Sequence, residues 1–321
     1  MKIPLQITLV LLACLGGLLG GCKPAGESES KSAGKPRVAL VMKSLANEFF
    51  LTMENGAKAH QQAHANDYDL LANGIKDELD VSRQIDLVEQ MIAQKVNAIV
   101  IAPADSKALV PVCKRAQQVG IVVVNIDNKF DEAVLTASGV KFPFVGPDNR
   151  KGAQAVGDFL AKKLQAGDKV LIVEGAPNAF NGLQRKLGFG DAMKAAGVNV
   201  VSSQSGYWET DKASQLVAAV ATEHPDLKAV LCANDSMALG AVAALRAAGK
   251  LDRVLVVGFD NIAAAQQLVK EGRLLATADQ HGDQLAVFGI EYALEMLNGK
   301  ATPADRETPV DLVTAESFSA K

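Results

Sequence analysis

Val38-Ala39-Leu40-Val41-Met42-Lys43-Ser44-Leu45-Ala46-Asn47-Glu48-Phe49-Phe50 is the stretch whose reading decides the fold. Its first part, Val38–Met42, is apolar without alternation, the pattern of a parallel strand covered on both faces. A polar turn follows, and Glu48-Phe49-Phe50 then opens a helical segment. The same unit recurs along the chain. Further strand candidates are Tyr68–Leu71, Ala98–Ala102, Ile121–Asn125, Lys169–Val173, Val198–Ser202, Ala229–Cys232, Val254–Gly258 and Leu274–Thr277. Between strands, apolar residues return at helical spacing, as at Ile85, Val88 and Met91, or Val156, Leu160 and Leu164. Alternating strands and helices place the chain in the α/β class, with doubly wound parallel sheets. Roughly 285 residues of this pattern exceed one typical domain, so two lobes are expected, with the break near Gly146.

Upstream of this pattern the chain reads differently. Lys2 precedes an apolar run, Ile3–Leu19, that ends in Leu19-Gly20-Gly21-Cys22. One positive charge, an apolar stretch and small residues before a cut describe a secretory signal over residues 1–21. Roughly 17 residues, interrupted by glycines, are short for a membrane span. The Leu-Gly-Gly-Cys ending resembles a bacterial lipobox, which implies lipidation of Cys22 and a lipid-anchored protein at the periplasmic or cell surface. Residues 22–35, rich in Ser, Gly, Glu and Lys, have the composition of a flexible tether. The whole chain is 49% hydrophobic and 21% charged with a formal charge of −3, so no basic surplus exists to bind a nucleic acid. Past the signal and Cys22 only Cys113 and Cys232 remain, in segments assigned to different lobes. A bridge between them would oppose lobe motion, so two buried thiols are expected.

In open parallel sheets, ligands bind beyond the carboxyl ends of the strands. Here those positions are polar: Lys43 to Asn47 after the first strand, Asp127-Asn128, Asn234-Asp235, Asp260-Asn261 and Asp279-Gln280 after later ones, and a loop leading to Arg185. Tyr207-Trp208 lies in another loop. Planar Asp, Asn, Arg and Gln groups can each engage two neighbouring hydroxyls, and aromatic faces cover the C–H faces of a sugar ring. The inventory suits a neutral polyol.

At these residues the chain resembles the type I periplasmic sugar-binding proteins, the ribose- and D-allose-binding family of ABC transporter substrate-binding lipoproteins. The resemblance runs from about Pro36 to about Leu312 and rests on five ordered segments. They are Val41–Phe50, Val124-Asn125-Ile126-Asp127, Cys232–Gly240, Val257-Gly258-Phe259-Asp260 and Ala276-Thr277-Ala278-Asp279-Gln280. It implies that Asn47, Asp127, Arg185, Asn234, Asp260 and Gln280 bond sugar hydroxyls, that Phe50 and Trp208 sandwich the ring and that Phe49 lines the pocket. Lys43 matches a lysine of the allose-binding proteins. Asn128 departs from both groups, and with Lys43 it stands where the sugar is selected. The resemblance further implies two lobes joined by a three-strand hinge, residues 36–146 with 283–310 and residues 147–280 with 311–321. Their crossings would lie near Gly146, His281 and Asp311. A monomer that closes on a free monosaccharide or sugar alcohol and presents it to an ABC permease follows, with no cofactor, no metal and no catalysis.

Blander readings stand beside these. Asp127, Asp260 and Asp235 could cap helices, and Asn234 could be a turn former. Arg185 could be a surface charge on a helix over Asn181–Ala196, and one of the adjacent Phe49 and Phe50 could be core, since neighbouring helical residues point about 100° apart. His60 and His64 form an i, i+4 pair without the glutamate of a zinc-protease motif, which reads as a solvated face. Gly188-Phe189-Gly190 lacks the third glycine of a dinucleotide fingerprint and reads as close helix packing, and no nucleophile elbow is present. Two other classes share the two-lobed core. A sugar sensor serving a chemoreceptor or kinase would have the same pocket, and a transcription regulator would need a helix-turn-helix where this chain has its signal.

Overall fold

The computed structural model describes residues 34–319. The signal segment, Cys22 and most of the tether lie outside the described residues. The first sheet is built by β1 (Arg37–Ser44), β2 (Asp69–Ile75), β3 (Ala98–Ile101), β4 (Val122–Ile126) and β5 (Phe144–Pro147), connected by α1 (Glu48–Ala63), α2 (Val81–Ala93), α3 (Val110–Gln118) and α4 (Glu132–Ser138). Helix α5 (Asn149–Ala161) leads into a second sheet. There β6 (Lys169–Glu174), β7 (Asn199–Ser205), β8 (Leu227–Cys232), β9 (Leu255–Val257) and β10 (Ala276–Asp279) alternate with α6 (Phe180–Ala195), α7 (Thr210–Glu223), α8 (Asp235–Ala247) and α9 (Ala263–Lys270). Helix α10 (Gly282–Leu297) packs back on the first sheet, which β11 (Arg306–Thr308) completes, and β12 (Asp311–Thr314) completes the second. The chain therefore passes between sheets after β5, after β10 and after β11.

Both sheets have six strands, in the orders β2-β1-β3-β4-β5-β11 and β7-β6-β8-β9-β10-β12. The halves thus repeat one doubly wound topology, the order in which the crevice beside the first strand's carboxyl end takes the ligand. The strands are apolar on both faces because both faces are covered. Val38, Leu40 and Met42 enter one buried cluster while Ala39 and Val41 enter another, as strand geometry dictates for alternate side chains. Where β1 and β3 part at their carboxyl ends, the buried Gln84 of α2 closes the gap. Its amide donates to the Met42 and Ala102 carbonyls at 3.1 and 2.8 Å and accepts from the Ala104 N–H at 2.7 Å.

Four differences from the sequence expectations have physical causes. Strands β5, β11 and β12 carry Phe-Val-Gly-Pro, Arg-Glu-Thr and Asp-Leu-Val-Thr, too short or too polar to stand out as apolar runs. Strand β12 pairs antiparallel with β10, so the second sheet is not wholly parallel. Strand β2 runs on through Asn73 and Gly74 to Ile75 rather than ending at Leu71. The His60 side chain is only 13% exposed, stacked on His64 and hydrogen-bonded through Nδ1 to the Tyr68 hydroxyl at 2.9 Å, so only the His64 end is a solvated face. Gly188 does mark close helix packing, because a Cβ there would overlap the Arg150 carbonyl oxygen of α5. Cys113 and Cys232 are free and buried, one on α3 and the other at the end of β8.

Candidate functional site

The carboxyl ends of both sheets face each other across a cleft. From the first half come Lys43 at the end of β1, Asn47, Phe49 and Phe50 at the start of α1, Glu78 after β2 and Asp127 after β4. From the second come Asn181 and Arg185 on α6, Trp208 after β7, Asn234 after β8, Asp260 after β9 and Gln280 after β10. Together they line one pocket between the two halves.

Local structure explains why these side chains converge. Asn125, buried on β4, donates to the Asn128 carbonyl at 2.8 Å and accepts from the Phe130 N–H at 2.9 Å. This staples the turn that holds Asp127 at φ +60°, a left-handed conformation that a non-glycine residue adopts only when its surroundings impose it. Asp235 does the same in the other half. Its carboxylate accepts from the Ile262 N–H at 3.0 Å and from the Thr277 hydroxyl at 2.8 Å, which fixes the loop carrying Asp260 at φ +123°. Burial raises the Asp235 carboxyl to about 6. Asp127 and Asp260 are therefore not helix caps; Asp131 and Ile262 occupy the N-cap positions of α4 and α9. Asn47 and Asn234 cap α1 and α8 through their side-chain oxygens while lining the cavity. Asp235, by contrast, neither caps a helix nor reaches the cavity.

Arg185 is 2% exposed, so it is no surface charge. Its Nε donates to Asn149 Oδ1 at 2.8 Å, and Nη1 to the Ala233 carbonyl at 2.9 Å and Asp260 Oδ1 at 3.2 Å. Its plane lies 3.8 Å from the Phe259 ring centroid. Gln280 Nε2 donates to the same Asp260 oxygen at 2.6 Å. Burial holds the Asp260 carboxyl well above the ordinary carboxylate range, with Arg185 pulling the other way. On the opposite wall Lys43 Nζ stands 3.0 Å from Asp127 Oδ2, an ion pair whose angles leave that oxygen without a hydrogen bond. The same ammonium lies 5.6 Å from the Phe50 ring centroid and 5.7 Å from that of Trp208, so both rings border one space. Phe49 and Phe50 both line the cavity and meet edge to face at 5.2 Å, and both, only 3% exposed, also belong to the buried apolar cluster behind it.

Every residue singled out from the sequence for ligand contact reaches the cavity except Asn128. Its Nδ2 donates to the Pro103 carbonyl at 2.8 Å, and its Oδ1 accepts from the Ser106 hydroxyl at 3.2 Å and the Asn181 N–H at 3.1 Å. It joins the halves instead of facing the solute. Other bonds also span the halves: Glu48 Oε1 from the Ala263 N–H at 2.8 Å, Asp105 Oδ2 from Asn178 Nδ2 at 2.8 Å, and Ser106 Oγ from the Phe180 N–H at 3.0 Å. The cleft is closed. Glu78 and Asn181 escaped the sequence reading. Glu78 follows the true end of β2, and extending that strand to Ile75 is the signal that exposes it.

Two similar α/β halves closing over a buried polar cleft define a hinged receptor for a small solute. The chain belongs to the periplasmic binding protein family, whose domain model matches residues 38–301. It is 57% identical over 315 residues to the D-ribose/D-allose-binding protein of Pseudomonas aeruginosa, covering 97% of each chain. Among solved structures, an ABC transporter solute-binding protein from Burkholderia multivorans superposes with a TM-score of 0.86 at 61% identity, covering 88% of this chain and 100% of that one. One from Actinobacillus succinogenes, with bound D-allose, gives a TM-score of 0.85 at 35% identity, covering 89% and 100%. These relatives are solute-binding proteins.

Proposed function

We propose that this chain is the extracytoplasmic solute-binding component of an ABC-type sugar importer, taking a neutral monosaccharide or sugar alcohol of the ribose and allose kind. The observation that carries this reading is a set of buried, hydrogen-bond-deficient groups on the cavity wall. Arg185 Nη2 is a donor without an acceptor and Gln280 Oε1 an acceptor without a donor, while Asp127 Oδ2 has only its ion pair with Lys43. A buried unpaired polar atom costs about 1–3 kcal/mol. A ligand carrying several hydroxyls, each donor and acceptor, relieves all of them at once, and Phe50 and Trp208 cover its ring. The D-allose bound by the Actinobacillus relative and the name of the Pseudomonas relative favour this ligand class, and the same names favour transport over sensing.

The halves, divided where the chain crosses after β5, β10 and β11, act as the lobes of the hinge, and ligand shifts the open–closed equilibrium by contacts made only when both walls meet. The closed form is what a permease reads. The protein works as a monomer without catalysis, and Cys22 anchors it in the membrane through lipid. Replacing Cys22 with Ser is expected to release it into the soluble fraction, and unchanged membrane association overturns the anchor. Titration of the mature protein with D-ribose, D-allose and polyols, followed by the fluorescence of Trp208, is expected to saturate with at least one of them and to raise the melting temperature. A flat response to all of them, without thermal stabilisation, overturns the assignment.

A further inference from the structure

We propose that Glu78 is a further ligand-contacting residue, which hydrogen-bonds a sugar hydroxyl at the Lys43 end of the cleft and makes the protein's affinity depend on pH. The inference rests on the sugar-binding reading and adds to it a residue and a regulation. Glu78 is 7% exposed and forms part of the cavity wall. Its side chain receives one long hydrogen bond, 3.3 Å from Asn47 Nδ2, and among the described residues no cation stands within ion-pair distance of it. Its other carboxyl oxygen takes no hydrogen bond from the described residues and is open to a partner in the cavity. Lys43 does not supply that partner, because its ammonium is engaged by Asp127.

Glu78 also changes the charge of the site. Asp127 and Asp260 are matched by Lys43 and Arg185, so ionised Glu78 leaves the wall with one surplus negative charge. The groups acting on it are Lys43 from β1, Asp127 from beyond β4 and Glu209 across the cleft at the start of α7. Burial is the largest influence and raises its carboxyl from 4.5 to about 7, with Lys43 opposing and Asp127 and Glu209 adding. Held neutral, the group donates one hydrogen bond and accepts another, which complements a hydroxyl; ionised, its surplus negative charge disfavours an anionic sugar. The pocket that Glu78 lines is walled by both halves. Opening the cleft hydrates Glu78 and lowers its value, so the closed form binds a proton more tightly than the open form. Closure is therefore favoured at low pH, and affinity falls as pH rises from the open-state value toward and past 7.

The experiment measures affinities for D-ribose and D-allose at pH 5.5 and pH 8.5 by Trp208 fluorescence, using wild type, Glu78→Gln and Glu78→Ala. Wild type is expected to bind on the order of tenfold more weakly at the higher pH. Glu78→Gln, of the same shape and without a titrating group, should change its affinity less than about twofold between the two pH values, whatever its affinity at pH 5.5. Glu78→Ala should lose about tenfold at pH 5.5. Wild-type pH dependence retained in Glu78→Gln, or undiminished affinity in Glu78→Ala, overturns the role of Glu78 while leaving the sugar site standing. Should Glu78→Ala fail to fold, the pH profile of Glu78→Gln decides. A wild-type protein that binds neither sugar overturns the site itself and Glu78 with it.

Discussion

Arg185→Ala is expected to remove measurable sugar binding and to lower the unfolding free energy by about 3–5 kcal/mol. Both effects come from one position because Arg185 does two things. It satisfies Asn149, the Ala233 carbonyl and Asp260 behind the cavity wall, and it lines the cavity with Nη2 left unpaired, the donor proposed to meet the sugar. Removing it leaves Asp260 buried without its cation, and a stranded buried charge costs more than the pair contributes. The carboxyl of Asp260, already raised by burial, would rise further once that cation is gone. A group whose folded value is raised favours the folded state at low pH and loses that advantage as pH climbs to the folded value. The variant should therefore be least stable at high pH, and acidification should restore part of the loss. Adding Asp260→Asn should recover stability without recovering binding, since the amide no longer needs a counter-charge. Calorimetry across pH and sugar titration of both variants check this. A single variant as stable as wild type at pH 8 contradicts the assignment of Arg185 to the buried network.

Gly175→Val should weaken sugar binding by about tenfold or more while costing about 1–3 kcal/mol of stability. The loop after β6 passes directly beneath Trp208, and a Cβ at residue 175 would overlap the indole carbons. Tyr207 and Trp208 both sit at positive φ, +54° and +69°, so the turn that presents the indole has little freedom to yield. Gly206 beside them is also tightly packed, against Met237 and Val173. The ring is then expected to shift within the cavity it lines. Affinity and thermal unfolding measured together separate this from general damage. Unchanged affinity in a folded Gly175→Val protein would show that the indole does not bear on the ligand.

Much of the site was legible because it sits at the ends of apolar strands, an address that composition marks. Lys43, Asp127, Asn234, Asp260 and Gln280 all follow such runs, and the structure brings them together with Arg185 and Trp208. Asn128 had the same address and a different fate. Asp127 takes a left-handed turn, so the next side chain points away toward Pro103 and Asn181, and strand-end position alone does not encode that turn. Glu78 was hidden for the opposite reason. The second half of β2 reads Ala-Asn-Gly-Ile, which looks like a loop in isolation and becomes a strand by pairing with β1. Strands β11 and β12 likewise exist because edges of existing sheets were open to them, a long-range cause that a local pattern does not carry.

The two thiols, placed deep in opposite halves, have a consequence for life in an oxidising compartment. Burial lifts Cys113 to about 12 and Cys232 higher still, so at neutral pH neither supplies the thiolate that disulfide exchange requires. For a member of a periplasmic family, this means that the redox machinery of its surroundings finds nothing to couple on the folded body. Among the described residues no disulfide ties the halves, so motion between them stays free of a covalent bridge through Cys113 and Cys232.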